Sequence, residues 1–162
     1  MWEVGLALAL LVAFTRYVVR SNACLLLAGI LFVNWGVNTY AAWAMEGREP
    51  DMDPWWVYLT FDYLSAVIAL VGSVVICDKL HKSTIAIALS YAAECVVHAA
   101  YGFSDHGEWA RYRHWWATFS ISAAQAALVL FWGLHEMAVR RFGVGWRLSH
   151  YIPVLGSAKA RR

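Results

Sequence analysis

Apolar residues in this chain come in long runs rather than in strict alternation. Five runs match the roughly 20 mostly apolar residues that a helix needs to cross the hydrocarbon of a bilayer. They cover about residues 2–19, 23–45, 55–77, 84–102 and 115–138. The pattern predicts an all-α fold, an integral membrane bundle of five transmembrane helices. The first run is the weakest, because its apolar stretch from Val4 to Phe14 is short and Arg16 interrupts it. Arg16 and Arg20 can snorkel to an interface and let the helix span. The second choice is four spans with an interfacial first helix. The linkers are Arg20 to Asn22, Glu46 to Pro54, Asp78 to Ser83 and Phe103 to His114. Linkers this short make successive helices antiparallel. Asp53-Pro54 is a good lead into the third helix, since proline is tolerated at a helix start.

Composition supports the same solvent. Of 162 residues, 61% are hydrophobic and only 15% charged, and the mean hydropathy is +0.51. A water-soluble fold of this size leaves too much surface exposed to hide so much apolar area. A net charge of +2 gives no reason to expect nucleic acid as a partner. Glu3 stands where a signal peptide would carry bases, and no small-residue cleavage pattern follows, so the first run reads as a retained helix. Cys24, Cys77 and Cys95 fall inside apolar runs with no metal or disulfide spacing and read as small hydrophobes. The bundle is expected over residues 1–141, with a basic tail over 142–162.

Charge sets the expected orientation. Arg16, Arg20, Lys79, Lys82, Arg140, Arg141, Arg147, Lys159, Arg161 and Arg162 fall on one side, against Arg48, Arg111 and Arg113 on the other. Basic residues favour the cytoplasm, which places the C-terminus inside and, with five spans, the N-terminus outside. Trp43, Trp55, Trp56, Tyr101, Trp109, Trp115 and Trp116 sit where an outer aromatic belt is expected. The tail mixes bases with bulky apolar residues. It reads either as a segment lying on the anionic inner leaflet or as a plain topogenic tail.

Polar residues at membrane depth are costly, and each is a candidate site. Asp62 lies in the third run, Glu94 and His98 in the fourth, Asn34 and Asn38 in the second and Gln125 in the fifth. At a rise of about 1.5 Å per residue, all six fall between about 6 and 16 Å below the outer ends of their helices. They form one layer. Asn34 and Asn38 share a helix face, as do Ser90, Glu94 and His98, while Asp62, Ser65, Ala69 and Gly72 form a stripe and Thr118, Ser122 and Gln125 another. These stripes are expected to face inward, with Leu, Val and Ile toward lipid. The layer is either a packing cluster that fixes helix contacts or a hydrated site open to the outside for protons, an ion or a small ligand. Acids coupled to an imidazole can exchange protons near neutrality, which suits a relay.

Asp62, Glu94 and His98 are acceptable zinc or manganese ligands, although no dedicated metal spacing is present. Haem is disfavoured, because His98 is near the outer side and His135 about 30 Å further down. His114 can approach His98 but falls in a loop-flanked, exposed position. His135-Glu136 reads as an interfacial charged turn, and Asp78, Lys79, His81 and Lys82 as a solvated loop. No phosphate loop, nucleophile elbow or catalytic triad spacing is present; no enzyme activity and no cofactor is expected.

The stretch Ser21 to Gly29, continuing into Phe32-Val33-Asn34-Trp35, resembles segments of small polytopic membrane proteins of tailed phages. It covers about a fifth of the chain. The resemblance implies a viral protein of the bacterial inner membrane, with pore-forming holins as the natural class. Holins usually have one to three spans, and five spans with a polar layer depart from that pattern. Three functions stay open. The first is an oligomeric pore or ion- or proton-conducting unit using Asp62, Glu94, His98 and Gln125. The second is a structural or regulatory subunit of a larger membrane complex. The third is a small metal- or haem-binding redox protein.

Overall fold

The computed structural model describes residues 2–45, 55–77, 80–142 and 151–152. Five helices account for nearly all of them: α1 (Trp2–Phe14), α2 (Asn22–Met45), α3 (Trp55–Cys77), α4 (Lys82–Gly102) and α5 (Glu108–Phe142). A π-helical turn, Thr15–Val19, extends α1. With that turn included, all five are long and apolar enough to cross a membrane. Two short strands, β1 (Leu80–His81) and β2 (Tyr151–Ile152), pair antiparallel, Leu80 opposite Ile152 and His81 opposite Tyr151. The linker Glu46 to Pro54, Asp78, Lys79 and most of the expected tail lie outside the described residues.

Helices α2 to α5 pack in a ring, α2 on α3, α3 on α4, α4 on α5 and α5 back on α2, while α1 lies against α2. Leu27, Ala28, Leu31, Ala69, Ile87, Tyr91 and Val129 form the buried core of that ring. Large apolar side chains such as Val67, Ile68, Val71, Val75, Leu89, Val96 and Phe131 face outward. In water this surface would be unfavourable by about 25 cal/mol for each Å², and lipid removes the cost.

Local chemistry explains the helix ends. The His81 imidazole accepts from the Ser83 backbone N–H at 3.3 Å and caps α4. Asp105 accepts from Gly107 N–H at 3.3 Å, and Glu108 follows in the first turn of α5, where a negative charge meets the helix dipole. The π turn ends at Arg20, whose φ of 54° is left-handed and whose N–H bonds Thr15 O at 2.9 Å. The guanidinium of Arg140, on α5, donates to Val19 O at 2.9 Å and Arg20 O at 3.2 Å. Those carbonyls would otherwise be left over at the end of the helix.

Three expectations need correction. α5 spans 35 residues, about 52 Å of helix, and starts at Glu108 rather than near 115; His114 is therefore helical and half-buried. His81 belongs to no solvated loop: it is completely buried beside Trp132. Tyr101, expected in the exposed belt, is buried as well, whereas Trp43, Trp56, Trp109, Trp115 and Trp116 are exposed.

Glycine lets α1 approach α2. A Cβ on Gly5 would overlap the Trp35 ring, whereas one on Gly29 would meet nothing within 4 Å. Gly5→Leu is expected to lower stability by about 1–3 kcal/mol, seen as a lower Tm in detergent micelles. Gly29→Ala should hold or gain up to about 1 kcal/mol, because alanine costs less entropy in a helix.

Candidate functional site

The ring places each polar stripe against another. From α2, Asn34 Nδ2 donates to Asp62 Oδ1 at 2.8 Å and to Ser65 Oγ at 3.0 Å, both on α3. Asn38 Nδ2, one turn along, donates to Asn34 Oδ1 at 3.0 Å. From α4, His98 Nε2 lies 2.9 Å from Asp62 Oδ2. The other ring nitrogen, His98 Nδ1, lies 2.7 Å from His114 Nε2 on α5. Four helices thus meet in one chain of contacts, Asn38–Asn34–Asp62–His98–His114.

A second group sits one turn away on α4. Glu94 accepts from Ser122 Oγ at 2.9 Å and from Gln125 Nε2 at 3.2 Å. The Gln125 amide also donates to Ser90 Oγ at 3.0 Å, and Ser90 to Ile87 O at 2.7 Å. The two carboxyl groups lie within electrostatic reach of each other. Asp62, Glu94, His98 and Gln125 are 1%, 3%, 4% and 2% exposed. All six residues expected in the layer are therefore brought together, in two linked groups inside one chain.

The groups differ in chemistry. Glu94 accepts one bond from a hydroxyl and one from an amide N–H, neither of which titrates near neutrality. Asp62 faces an imidazole that can carry its proton on either nitrogen or on both. Tyr101 stacks on His114, centroids 4.2 Å apart and planes 15° from parallel, and the Tyr58 ring lies 5.4 Å from that of His98. These rings pack against the two imidazoles and limit their rotation. His114 is only half-buried, so the chain runs from the Gly102 end of the bundle to a buried carboxylate.

His114 is the member that sequence reasoning set aside. Its position sixteen residues after His98, across a short helical hairpin, is compatible with the contact. The polar first turns of α5 hid it, since they look like a loop when a span is sought by hydropathy. The two imidazole nitrogens, 2.7 Å apart, are hydrogen-bond partners as they stand; two ligands of one zinc, each about 2.0–2.1 Å from it, would be further apart. Among the described residues no group of three or more His, Cys, Asp and Glu is placed to hold a metal ion.

A second polar node lies at the opposite end. Glu136 accepts from Trp132 Nε1 at 3.0 Å and from Arg140 Nη2 at 3.0 Å, and its Oε1 is 3.8 Å from His81 Nε2. His81 Nδ1 contacts Ser83 Oγ. The expected charged turn at His135-Glu136 is therefore part of continuous helix and ties α5 to the β1 segment and to the end of the α1 extension.

No family model matches the chain, and neither does any curated protein or solved structure. The functional reading rests on the geometry.

Losing either partner of a buried charged pair leaves the other uncompensated. Asp62→Ala is expected to cost about 3–5 kcal/mol. Gln125→Leu, which orphans one carboxylate oxygen, should cost about 1–3 kcal/mol. Both are read from thermal unfolding in detergent; an Asp62→Ala protein as stable as wild type would show that the contact contributes nothing to packing.

Proposed function

We propose that the chain is a multi-pass protein of the bacterial inner membrane, N-terminus outside and C-terminus cytoplasmic, that handles protons through Asp62, His98 and His114. The observation that carries this reading is the pair of short contacts in series, 2.9 Å from Asp62 to His98 and 2.7 Å from His98 to His114. The orientation is supported by the ten basic residues on the C-terminal side against three on the other. That orientation puts His114 at the outer surface and Asp62 beneath it.

The proton movement balances. In the receptive state His114 donates from Nε2 to His98 Nδ1, and His98 donates from Nε2 to the Asp62 carboxylate. A proton arriving at His114 Nδ1 lets the Nε2 proton pass to His98 Nδ1. The His98 Nε2 proton then passes to Asp62 Oδ2. One proton has entered, Asp62 is neutral, and both imidazoles are neutral with reversed tautomers. Asn34 holds the other carboxyl oxygen in place throughout. Glu94, Gln125, Ser90 and Ser122 lock α4 on α5 and take no part in the transfer from His114 to Asp62. The path is placed within one protomer, because these side chains are buried among its own helices.

The test is infrared and histidine ¹⁵N spectroscopy on oriented vesicles while the external pH is lowered from about 8 to about 5. His98 and His114 are expected to change together, with a carboxyl band that vanishes in Asp62→Asn and responds more slowly in His114→Phe. A carboxyl change that survives Asp62→Asn, or histidines whose tautomers stay unchanged, would sink the reading. Reporter fusions after Arg141 should be active only in the cytoplasm.

A further inference from the structure

The polar stripes do not stop at the outer layer. On α3 the buried residues run Asp62, Ser65, Ala69, Ser73, one turn apart on one face. On α4 the buried face runs from His98 and Glu94 through Tyr91 and Ile87 to Thr84 and Ser83. On α5 it runs Gln125, Val129 and Gly133, with Glu136 next on that side. On α2, Leu31, Ala28 and Leu27 separate Asn34 from Cys24 and Ser21. Each helix of the ring is thus polar, then apolar, then polar, and the apolar parts coincide: Ala69, Ile87 and Val129, all 0% exposed, with Leu27 belong to one core cluster.

Below that layer a second polar set begins. Thr84 Oγ1 donates to Ser73 Oγ at 3.3 Å, both fully buried. Ser83 adjoins Thr84 and contacts His81, whose Nε2 faces Glu136 at 3.8 Å. Glu136, with 15% of its side chain exposed, reaches the His81 end of the bundle beside Arg140. Nothing in packing alone requires two buried hydroxyls here; alanine and valine would fill the same volume without polar atoms to satisfy.

We infer that the chain conducts protons across the whole bundle along these two half-paths, and that the single apolar layer of Ala69, Ile87 and Val129 is the gate between them. This rests on the proton-handling reading of Asp62, His98 and His114. The gap is short. Ser90 and Thr84 are six residues apart on α4, about 9 Å of rise, which two or three waters in single file can bridge at roughly 2.8 Å per hydrogen bond. Hydrophobic constrictions of this kind gate by dewetting. Tyr91 marks the point where water would enter. Its hydroxyl is buried beside the layer, within reach of Ser65 but without a hydrogen bond of normal geometry, and a water would satisfy it. A proton released from Asp62 or Glu94 would pass along such waters to the Thr84–Ser73 pair, then to His81 and Glu136. Among the described residues the titratable and charged groups that face the route are Asp62, Tyr58 and Cys77 on α3, Glu94, Cys95, His98, Tyr91 and Tyr101 on α4, His114, Glu136 and Arg140 on α5, His81 before α4, and Cys24 on α2.

The test measures proton flux into vesicles loaded with a pH-sensitive dye under an imposed potential. Ala69→Ser adds one hydroxyl between Ser65 and Ser73, and Ile87→Ser opens the layer from α4. Each is expected to raise flux about tenfold or more over wild type by wetting the constriction. Adding Asp62→Asn, or Ser73→Ala with Thr84→Val, should cancel the rise. Flux that stays at the wild-type level in Ala69→Ser and Ile87→Ser, in protein with an unchanged Tm, overturns the inference. So does a rise that survives both cancelling sets, which is a leak elsewhere. Ala69→Ser changes one small atom and keeps the test valid should Ile87→Ser fail to fold. If the histidine tautomers change with the Asp62 carboxyl band while the gate variants stay silent, the through-path fails and the outer relay stands. If neither responds, both fail.

Discussion

The contact between Asp62 and His98 is the constraint around which this bundle is arranged. A carboxylate among apolar helices cannot be left alone, since its burial without partners costs several kcal/mol. Asn34 takes one oxygen from α2 and His98 takes the other from α4. Three helices are thereby fixed in depth and rotation at once. His98 then has a second nitrogen to satisfy, and His114 on α5 is brought in to meet it. The ring closes because each polar atom hands the requirement on to the next helix.

Magnitudes show why such a layer specifies a structure more than it stabilises one. A neutral hydrogen bond between membrane helices contributes on average about 0.6 kcal/mol, because competing partners exist in the separated state. The Glu94, Ser122, Gln125 and Ser90 contacts together therefore add little more than van der Waals packing would. Misaligning them is another matter. A shift of α4 by one turn would set Glu94 at the Ser90–Tyr91 level and take both carboxyl groups away from their present partners. Correct register is favoured by the penalty on every other register, as with a buried polar residue in a coiled coil.

The span positions were readable from apolar run length alone, and α3 has the limits that its hydropathy predicts. The stripes were readable too, because Asn34, Asp62, Glu94, His98 and Gln125 stand out in apolar surroundings and fall at one depth. Two histidines were not. His114 lies among Arg111, Arg113 and tryptophans, where local polarity looks like a loop, although it is the tertiary contact with His98 that decides its role. His81 lies between Lys79 and Lys82 and looked solvated; it is buried because α4 starts there and Trp132 covers its ring. Arg140 was counted for its charge, yet its fork also caps Val19 and Arg20, a long-range contact that no periodicity signals.

The two ends of the bundle solve the same problem with different chemistry, and this separates their roles. At the Glu136 end one carboxyl oxygen meets a guanidinium, which keeps its proton under ordinary conditions, while the other faces the His81 imidazole, so that node is part fixed pair and part exchangeable. At the Asp62 end the acid meets imidazoles, which exchange protons readily. A structural cluster needs only a fixed pair. Arginine or lysine opposite Asp62 would have neutralised it more firmly, and a leucine in place of His114 would have sealed the end of the bundle. What stands there instead is a pair of imidazoles in series, groups whose chemistry allows a proton to be accepted on one nitrogen and released from the other. Packing accounts for the presence of partners and for the Asn34 amide on one oxygen; it does not account for two imidazoles in series on the other.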